Sequence, residues 1–315
     1  TVKTSGTQLD IGAATATANL TIQTAGGPLN LNGALEANAA SSYTLTLDSG
    51  TGVTSVSSSI GATNAFTSIT MTGDEINLLG GGGTVRGSSV LLKPSADTIS
   101  IGIAGGTGTL ALSATDIAAL ADGFSSITVG SATGQHTITV SAVTFTDPVT
   151  IRTPSGGSIT INGQITGSDN ASITLDGSGA NITLSADIVT AGNTVGILDG
   201  VILGTIVTVD TTNGGAVTGG ANVTFSSTIN ATTSGNEGLV IQAGTGGATI
   251  FGDTVGGLTH IGSLDVTTGT LTLAALTTAI GTGTGNVNLI TQSGGVDFQA
   301  TSVAGTLTVD TSAAG

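Results

Sequence analysis

Gly157-Ser-Ile-Thr-Ile-Asn-Gly163 alternates apolar and polar residues and closes on a turn-forming Asn-Gly pair. The pattern returns at Ile173-Thr-Leu175 and Ile182-Thr-Leu184, and it is present earlier at Leu20-Thr-Ile22, Leu45-Thr-Leu47 and Ile138-Thr-Val140. A period of two carried by β-branched residues and punctuated by Gly, Asn, Asp or Ser specifies β-strands of about three to six residues. The chain reads as all-β with very short strands.

Recurrence at a fixed interval separates a solenoid from a sandwich. Taking one strand landmark per unit, Ile22, Leu47, Met71, Leu92 and Leu112 follow at intervals of 25, 24, 21 and 20 residues. Val129, Ile151, Leu175 and Ile197 are 22, 24 and 22 apart, and Ile241, Val266, Ile290 and Val309 are 25, 24 and 19 apart. Two intervals depart from the rule, 28 from Ile197 to Phe225 and 16 from Phe225 to Ile241. The spacing predicts a parallel β-helix, a β-solenoid of about 14 coils of roughly 22 residues, each adding one strand to each face.

Composition suits a thin interior. The 315 residues include 52 Gly and 60 Thr, with six Phe, one Tyr, one Met and neither Trp nor Cys. So much Gly penalises long helices, while 38% apolar residues exceed what a disordered chain carries. A column of stacked Ile, Leu and Val leaves little room for aromatics. Thr, β-branched and polar, belongs on its outward positions, and Gly and Asn belong at its corners.

Lys3, Arg86, Lys93 and Arg152 are the only basic residues against 19 acidic ones, giving a formal charge of −15. Four cations cannot neutralise a nucleic-acid backbone or dock on an anionic membrane, so neither partner is expected. Apolar runs cover only a few residues, which excludes a spanning helix and membrane insertion. Without Cys there are no disulfides and no thiolate metal sites. Thr1 is not an initiator and no signal-like start is present, so the chain reads as a mature product or a slice of a longer one.

Thr115-Asp-Ile-Ala-Ala-Leu-Ala-Asp-Gly123 departs from the β pattern. Good helix formers ending on Gly predict a helical turn or two projecting from a corner at 115–123. No linker divides the chain, so residues 1–315 read as one continuous domain.

Three stretches, Ala118-Ala-Leu-Ala-Asp-Gly-Phe-Ser-Ser-Ile-Thr-Val-Gly130, Val143-Thr-Phe-Thr-Asp-Pro-Val-Thr-Ile151 and Gly157-Ser-Ile-Thr-Ile-Asn-Gly163, carry a resemblance. They are similar to the repeats of giant filamentous-haemagglutinin-like surface proteins, particularly the cyanobacterial type. Gly285-Asn-Val-Asn-Leu-Ile290 and Ala304-Gly-Thr-Leu-Thr-Val-Asp310 resemble the same class. The resemblance implies a right-handed parallel β-helix, secreted to the cell surface, acting as an adhesin or fibre. That family's N-terminal secretion domain has no counterpart in these residues.

β-Helices also carry hydrolases and lyases, so catalytic groups need weighing. Asp74-Glu75 is the only adjacent acidic pair, near Arg86, and reads as a solvated turn. Asp48, Asp176, Asp210, Asp265 and Asp310 directly follow strand ends, where turn-forming Asp belongs. Arg86, Lys93 and Asp97 could serve a lyase only if brought together with carboxylates. His136 and His260 lack a neighbouring Cys, His or acid pair, and His136, ahead of Thr137-Ile-Thr139, is expected to point outward. No nucleophile elbow is present.

Asp176, Ser178 and Asn181 place oxygens at near-alternate positions and form a weak calcium candidate without the closing Glu of a dedicated loop. Thr-x-Thr at Thr44/Thr46, Thr70/Thr72, Thr137/Thr139, Thr270/Thr272 and Thr306/Thr308 suits an ice-binding face only if it stacks over four or more turns. The sequons at Asn19, Asn170, Asn181, Asn222 and Asn230 follow from Thr abundance and corner Asn.

The sequence thus predicts a non-catalytic structural or adhesive protein of an extracellular or cell-surface fibre, without cofactor. Its strand edges would associate end to end, and its flanks would contact a cell surface or a polysaccharide. The competing readings are a polysaccharide-binding or polysaccharide-degrading β-helix and, behind it, an ice-binding solenoid.

Overall fold

The computed structural model of the chain describes residues 1–177 and 182–273 and, beyond them, the strand segments 279–280, 287–291, 296–298, 302–303 and 307–310. Tertiary contacts divide it into two units, residues 1–157 and 158–315. Each is a parallel β-solenoid, and the two together hold about 12 turns with successive strands ~23 residues apart.

In the N-terminal unit the first face is the ladder Val2–Lys3, Leu20–Gln23, Thr44–Asp48, Ser68–Thr72, Ser89–Lys93, Ser126–Val129 and Val149–Thr153, with neighbours parallel throughout. Register places Ile22, Leu47, Met71, Leu92, Val129 and Ile151 one above another, each at most 1% exposed. Copies above and below clamp Leu47, Met71, Leu92 and Val129 at the fixed storey height of a sheet, about 4.8 Å. A truncation there therefore leaves a hole that the ladder cannot close. Leu92→Ala is expected to lower the unfolding free energy by about 2–5 kcal/mol in urea denaturation, and a loss below about 1 kcal/mol would contradict this account of the column.

The second face runs through Leu9–Ile11, Leu29–Leu31, Val53–Val56 and Glu75–Leu78. The third is thinner. It holds Ala14–Ala16, Leu35–Ala37 and Val143–Phe145 as strands, and Ile60, Val85 and Leu120 as single bridging residues. Within the C-terminal unit, Ile173–Gly177, Val195–Ile197, Val223–Phe225, Ala248–Phe251 and Thr270–Leu273 repeat the first-face arrangement.

The interior accepts more aromatic bulk than composition suggested. Phe66, Phe124, Phe145, Phe225 and Phe251 are all fully buried. Phe225 and Phe251 are ladder partners, their rings stacked at 5.7 Å and 20°, so the register that stacks aliphatics also stacks aromatics.

The N-terminal unit has one irregular turn. Ser89–Lys93 and Ser126–Val129 are neighbours on the first face, yet the chain between them lays down two strands on the second face. Ile101–Ile103 pairs with Thr137–Val140 on one side and with Leu110–Leu112 on the other. The later strand thus steps back toward Glu75–Leu78. Six residues make this return between parallel strands, where a dozen are usual. They do so by lying flat on Ile101–Ile103: a Cβ on Gly102 would sit 2.0 Å from the Gly106 carbonyl oxygen, and one on Gly108 would sit 2.1 Å from the Gly102 nitrogen.

This return corrects the coil count. Leu112 belongs to the extra strand and not to a turn of its own. The two aberrant intervals have similar local causes. A surface loop at 211–222 lengthens one turn, and Ile241 lies in Gly238–Gln242 on the third face whereas Phe225 lies on the first.

The segment expected to project at 115–123 is a helix, Ala114–Ala119, that does not project. Its N-cap is Ser113. A capping box joins Ser113 to Asp116, and an extended Leu120 ends the helix. Ile117, Ala119 and Leu120 are at most 5% exposed, so the helix lies over the core and fills the third side of the long turn.

Candidate functional site

Corners of a parallel solenoid leave backbone N–H groups without a ladder partner, and several carboxylates of this chain cap them. Asp48 Oδ1 accepts from the Gly50 amide at 2.9 Å, and its Oδ2 accepts from the Gln23 amide at 3.0 Å. Buried Asp210 accepts from Thr212 N–H and its hydroxyl at 2.6 Å each and from Gly214 N–H at 2.7 Å, which shapes the start of the 211–222 loop. Asp187 receives the Thr208 amide at 2.7 Å, and Glu36 receives the Thr63 and Asn64 amides at 3.0 Å each. Asp147 receives the Gly123 amide at 2.9 Å, and burial raises its carboxyl above the usual aspartate value. The corner reading of Asp48 and Asp210 is what the structure shows, while Asp147 and Glu36, which reach amides 24 to 28 residues away, had no local sequence signal.

Of the catalytic candidates, Arg86 and His260 stand apart, while Lys93 and Asp97 lie near one another and near His136. Asp74 accepts from the Ser95 amide at 3.0 Å, while Glu75 accepts from the Asn77 amide group at 2.7 Å. Arg86 follows Val85 on the third face, whereas Lys93 ends a first-face strand. Asp97 sits beside the corner of His136, where the Thr133 and Ser131 hydroxyls hold its carboxyl below the usual value. His260 is exposed in the other unit. His136 does not point outward: it is fully buried, because Gly134 leaves room for the ring to fold under the corner. Among the described residues no group of three or more His, Cys, Asp or Glu could hold a metal ion.

Asp176, of the calcium candidate, is the penultimate residue of the strand Ile173–Gly177, and Ser178 and Asn181 lie outside the described residues, as does Asn181 as a sequon. Asp265 lies within Ser263–Thr268 and pairs with Val240, so it is a mid-strand residue and not a corner. Asp310 closes the strand Leu307–Asp310.

Asn at sequons is structural in three places. Asn19 accepts from the Thr44 amide at 3.1 Å, Asn222 from the Ala248 amide at 2.9 Å, and Asn230 from the Leu258 and Thr259 amides at 2.9 and 3.2 Å. Each amide oxygen thus caps backbone 25 or more residues on.

Hydroxyls do align on the outer first face, but briefly. Thr21, Thr46 and Thr70 are in register, Leu91 takes the next position, and Thr128 and Thr150 follow. Thr137/Thr139 lie on the second face, Thr270/Thr272 in the other unit, and Thr306 outside the described residues. The continuous four-turn array required for an ice face is broken at Leu91. On the second face Asp10, Asn30, Ser55 and Asn77 form a second outward column, in which the Asn30 and Gln8 amides hold the Asp10 carboxyl below its usual value.

No helix of the described residues is long and apolar enough to cross a membrane. What this arrangement offers chemically is a hydroxyl- and amide-rich flank on a self-paired backbone, in a chain of net negative charge. Comparison with protein-family models, with curated proteins and with solved structures finds no match.

Proposed function

We propose that the chain is a non-catalytic structural or adhesive component of an extracellular or cell-surface fibre, of the filamentous-haemagglutinin-like kind that its repeats resemble. The in-register parallel ladder carries this reading. Each turn offers the next an identical row of donors and acceptors and the same aliphatic column, so growth along the axis needs no new interface.

The Thr1 side displays what such a turn presents. Val2–Lys3, Leu9–Ile11 and Ala14–Ala16 each pair on one side only, and Val2 is 42% exposed. Further turns, of the same polypeptide or of another copy, would continue that ladder head to tail, an association that extends rather than closes. Use of the acids as backbone caps supports a scaffold over a hydrolase. The outer Thr, Ser and Asn columns supply the surface for contact with a polysaccharide or a cell surface.

Electron microscopy of the native material at neutral pH tests the fibre. Filaments with an axial repeat near 4.8 Å are expected. Uniform single particles across a hundredfold range of concentration would overturn end-to-end growth.

A further inference from the structure

His136 occupies the corner between Ser126–Val129 and Thr137–Val140, with its ring fully buried. Its Nδ1 lies 2.8 Å from the carbonyl oxygen of Ile99. A carbonyl only accepts, so Nδ1 carries the proton and Nε2 of the neutral ring is a bare acceptor. Nε2 is buried and has no hydrogen-bond partner among the described residues. It faces Gly134, where an added Cβ would stand 2.8 Å away.

Corner segments from three turns meet around this ring. The Gln135 amide donates to the Asp97 carbonyl at 2.7 Å, and the Thr133 hydroxyl donates to the Asp97 carboxylate. From the following turn, the Ser155 amide donates to the Gly134 carbonyl at 2.9 Å and the Thr153 hydroxyl donates to the His136 carbonyl at 3.0 Å.

A proton on Nε2 would create a donor that no acceptor faces, on a ring cut off from water. The charged groups around it do not compensate. Lys93 ends the first-face strand of the turn below and Arg152 lies in that of the turn above, with Gly130 between them in the ladder. Asp97, the one nearby carboxylate, is already engaged by Thr133. The segments 130–135 and 153–157 contribute no titratable side chain.

We infer that His136 is an acid-sensitive latch: taking up a proton opens the corner formed by residues 94–99 and 130–136 while the remaining turns of the N-terminal unit stay paired. Burial pushes the imidazole below its ordinary value of 6.5, overcoming the opposing pull of the Ile99 carbonyl and Asp97. The opened ring binds a proton more readily than the latched one. The latch is therefore fully closed above about pH 6.5 and loosens as pH falls from there toward the latched value, by up to about tenfold in the opening equilibrium per pH unit. This inference does not depend on the fibre reading.

Amide hydrogen exchange on the whole chain at pH 7.5 and 5.0, corrected for intrinsic rates, tests it. Peptides covering 94–99 and 130–136 are expected to lose protection at pH 5.0, by at most about tenfold for each pH unit below 6.5, while those covering 44–48 and 68–72 keep theirs. In His136→Asn, whose amide can still donate to Ile99, the pH response should vanish. Unchanged protection of the corner at both pH values, or an equal loss in the variant, would overturn the latch. A titration of the His136 ring protons in the unsubstituted chain gives an independent reading. A midpoint below the ordinary value of 6.5 supports the latch, and a midpoint at or above it overturns the latch.

Discussion

Gly106→Ala is expected to lower the unfolding free energy by about 3 kcal/mol or more, an effect at the far end of what one methyl group does. The Cβ would stand 1.9 Å from the Thr139 carbonyl oxygen and 2.6 Å from its carbon. Backbone is what it would strike, and that backbone belongs to Thr137–Val140, which pairs with Ile101–Ile103 beneath it. Neither side can move without breaking the ladder.

Gly12→Ala provides the contrast. No atom lies within 4 Å of a Cβ there and φ is not positive. That change should be neutral, or stabilising by a few tenths of a kcal/mol through the unfolded chain. Urea midpoints of the two variants decide the matter. If Gly106→Ala matched Gly12→Ala, the flat return of residues 104–109 would be wrong, and with it the account of the extra strand.

That return marks where sequence reading succeeds and where it stops. Alternation such as Ile159-Thr-Ile161 is a local property, and both its strand character and its inward residues appear as the pattern says, with Ile159 and Ile161 fully buried. The period near 22 is also visible, because copies of one strand must recur for the ladder to form. What a one-dimensional period cannot reveal is which face a strand joins. Leu110-Ala-Leu112 has the same alternation as any first-face strand, and only its pairing with Ile101–Ile103 shows it to be a second strand in one turn.

Side-chain destinations follow a similar rule. Asp48 and Asp210 contact residues two to four positions on, so the corner reading was available from neighbours. Asp147 and Glu36 reach amides 24 to 28 residues away, which no local pattern encodes. His136 is the opposite case: with Ile138 and Val140 inward, alternation puts residue 136 on the same inner side, and Gly134 and the Ile99 carbonyl of another turn make the space its ring fills.

Asp116→Ala is expected to cost about 3 kcal/mol, while Asp10→Ala on the exposed second face stays within about 0.5 kcal/mol of the unsubstituted chain. Asp116 is 4% exposed, and its two oxygens serve two structures at once. Oδ2 closes the capping box, accepting from the Ser113 amide at 2.7 Å and the Ser113 hydroxyl at 2.5 Å. Oδ1 accepts from the Leu78 amide at 2.6 Å, at the end of Glu75–Leu78. The helix stands beside that strand end, and helical backbone cannot continue a ladder, so a side chain supplies the missing acceptor. Truncation leaves the Leu78 N–H buried and unpaired, at about 1–3 kcal/mol, and removes part of a helix cap worth about 1 kcal/mol more. Asp116→Asn should fall between, because its oxygen can still meet Leu78 while its amide nitrogen confronts the Ser113 N–H. The urea slope should be unchanged in all three variants, since the same surface is exposed on unfolding. Equal midpoints for Asp116→Ala and Asp10→Ala would mean that the strand end finds its acceptor elsewhere, and that the helix sits there without being required.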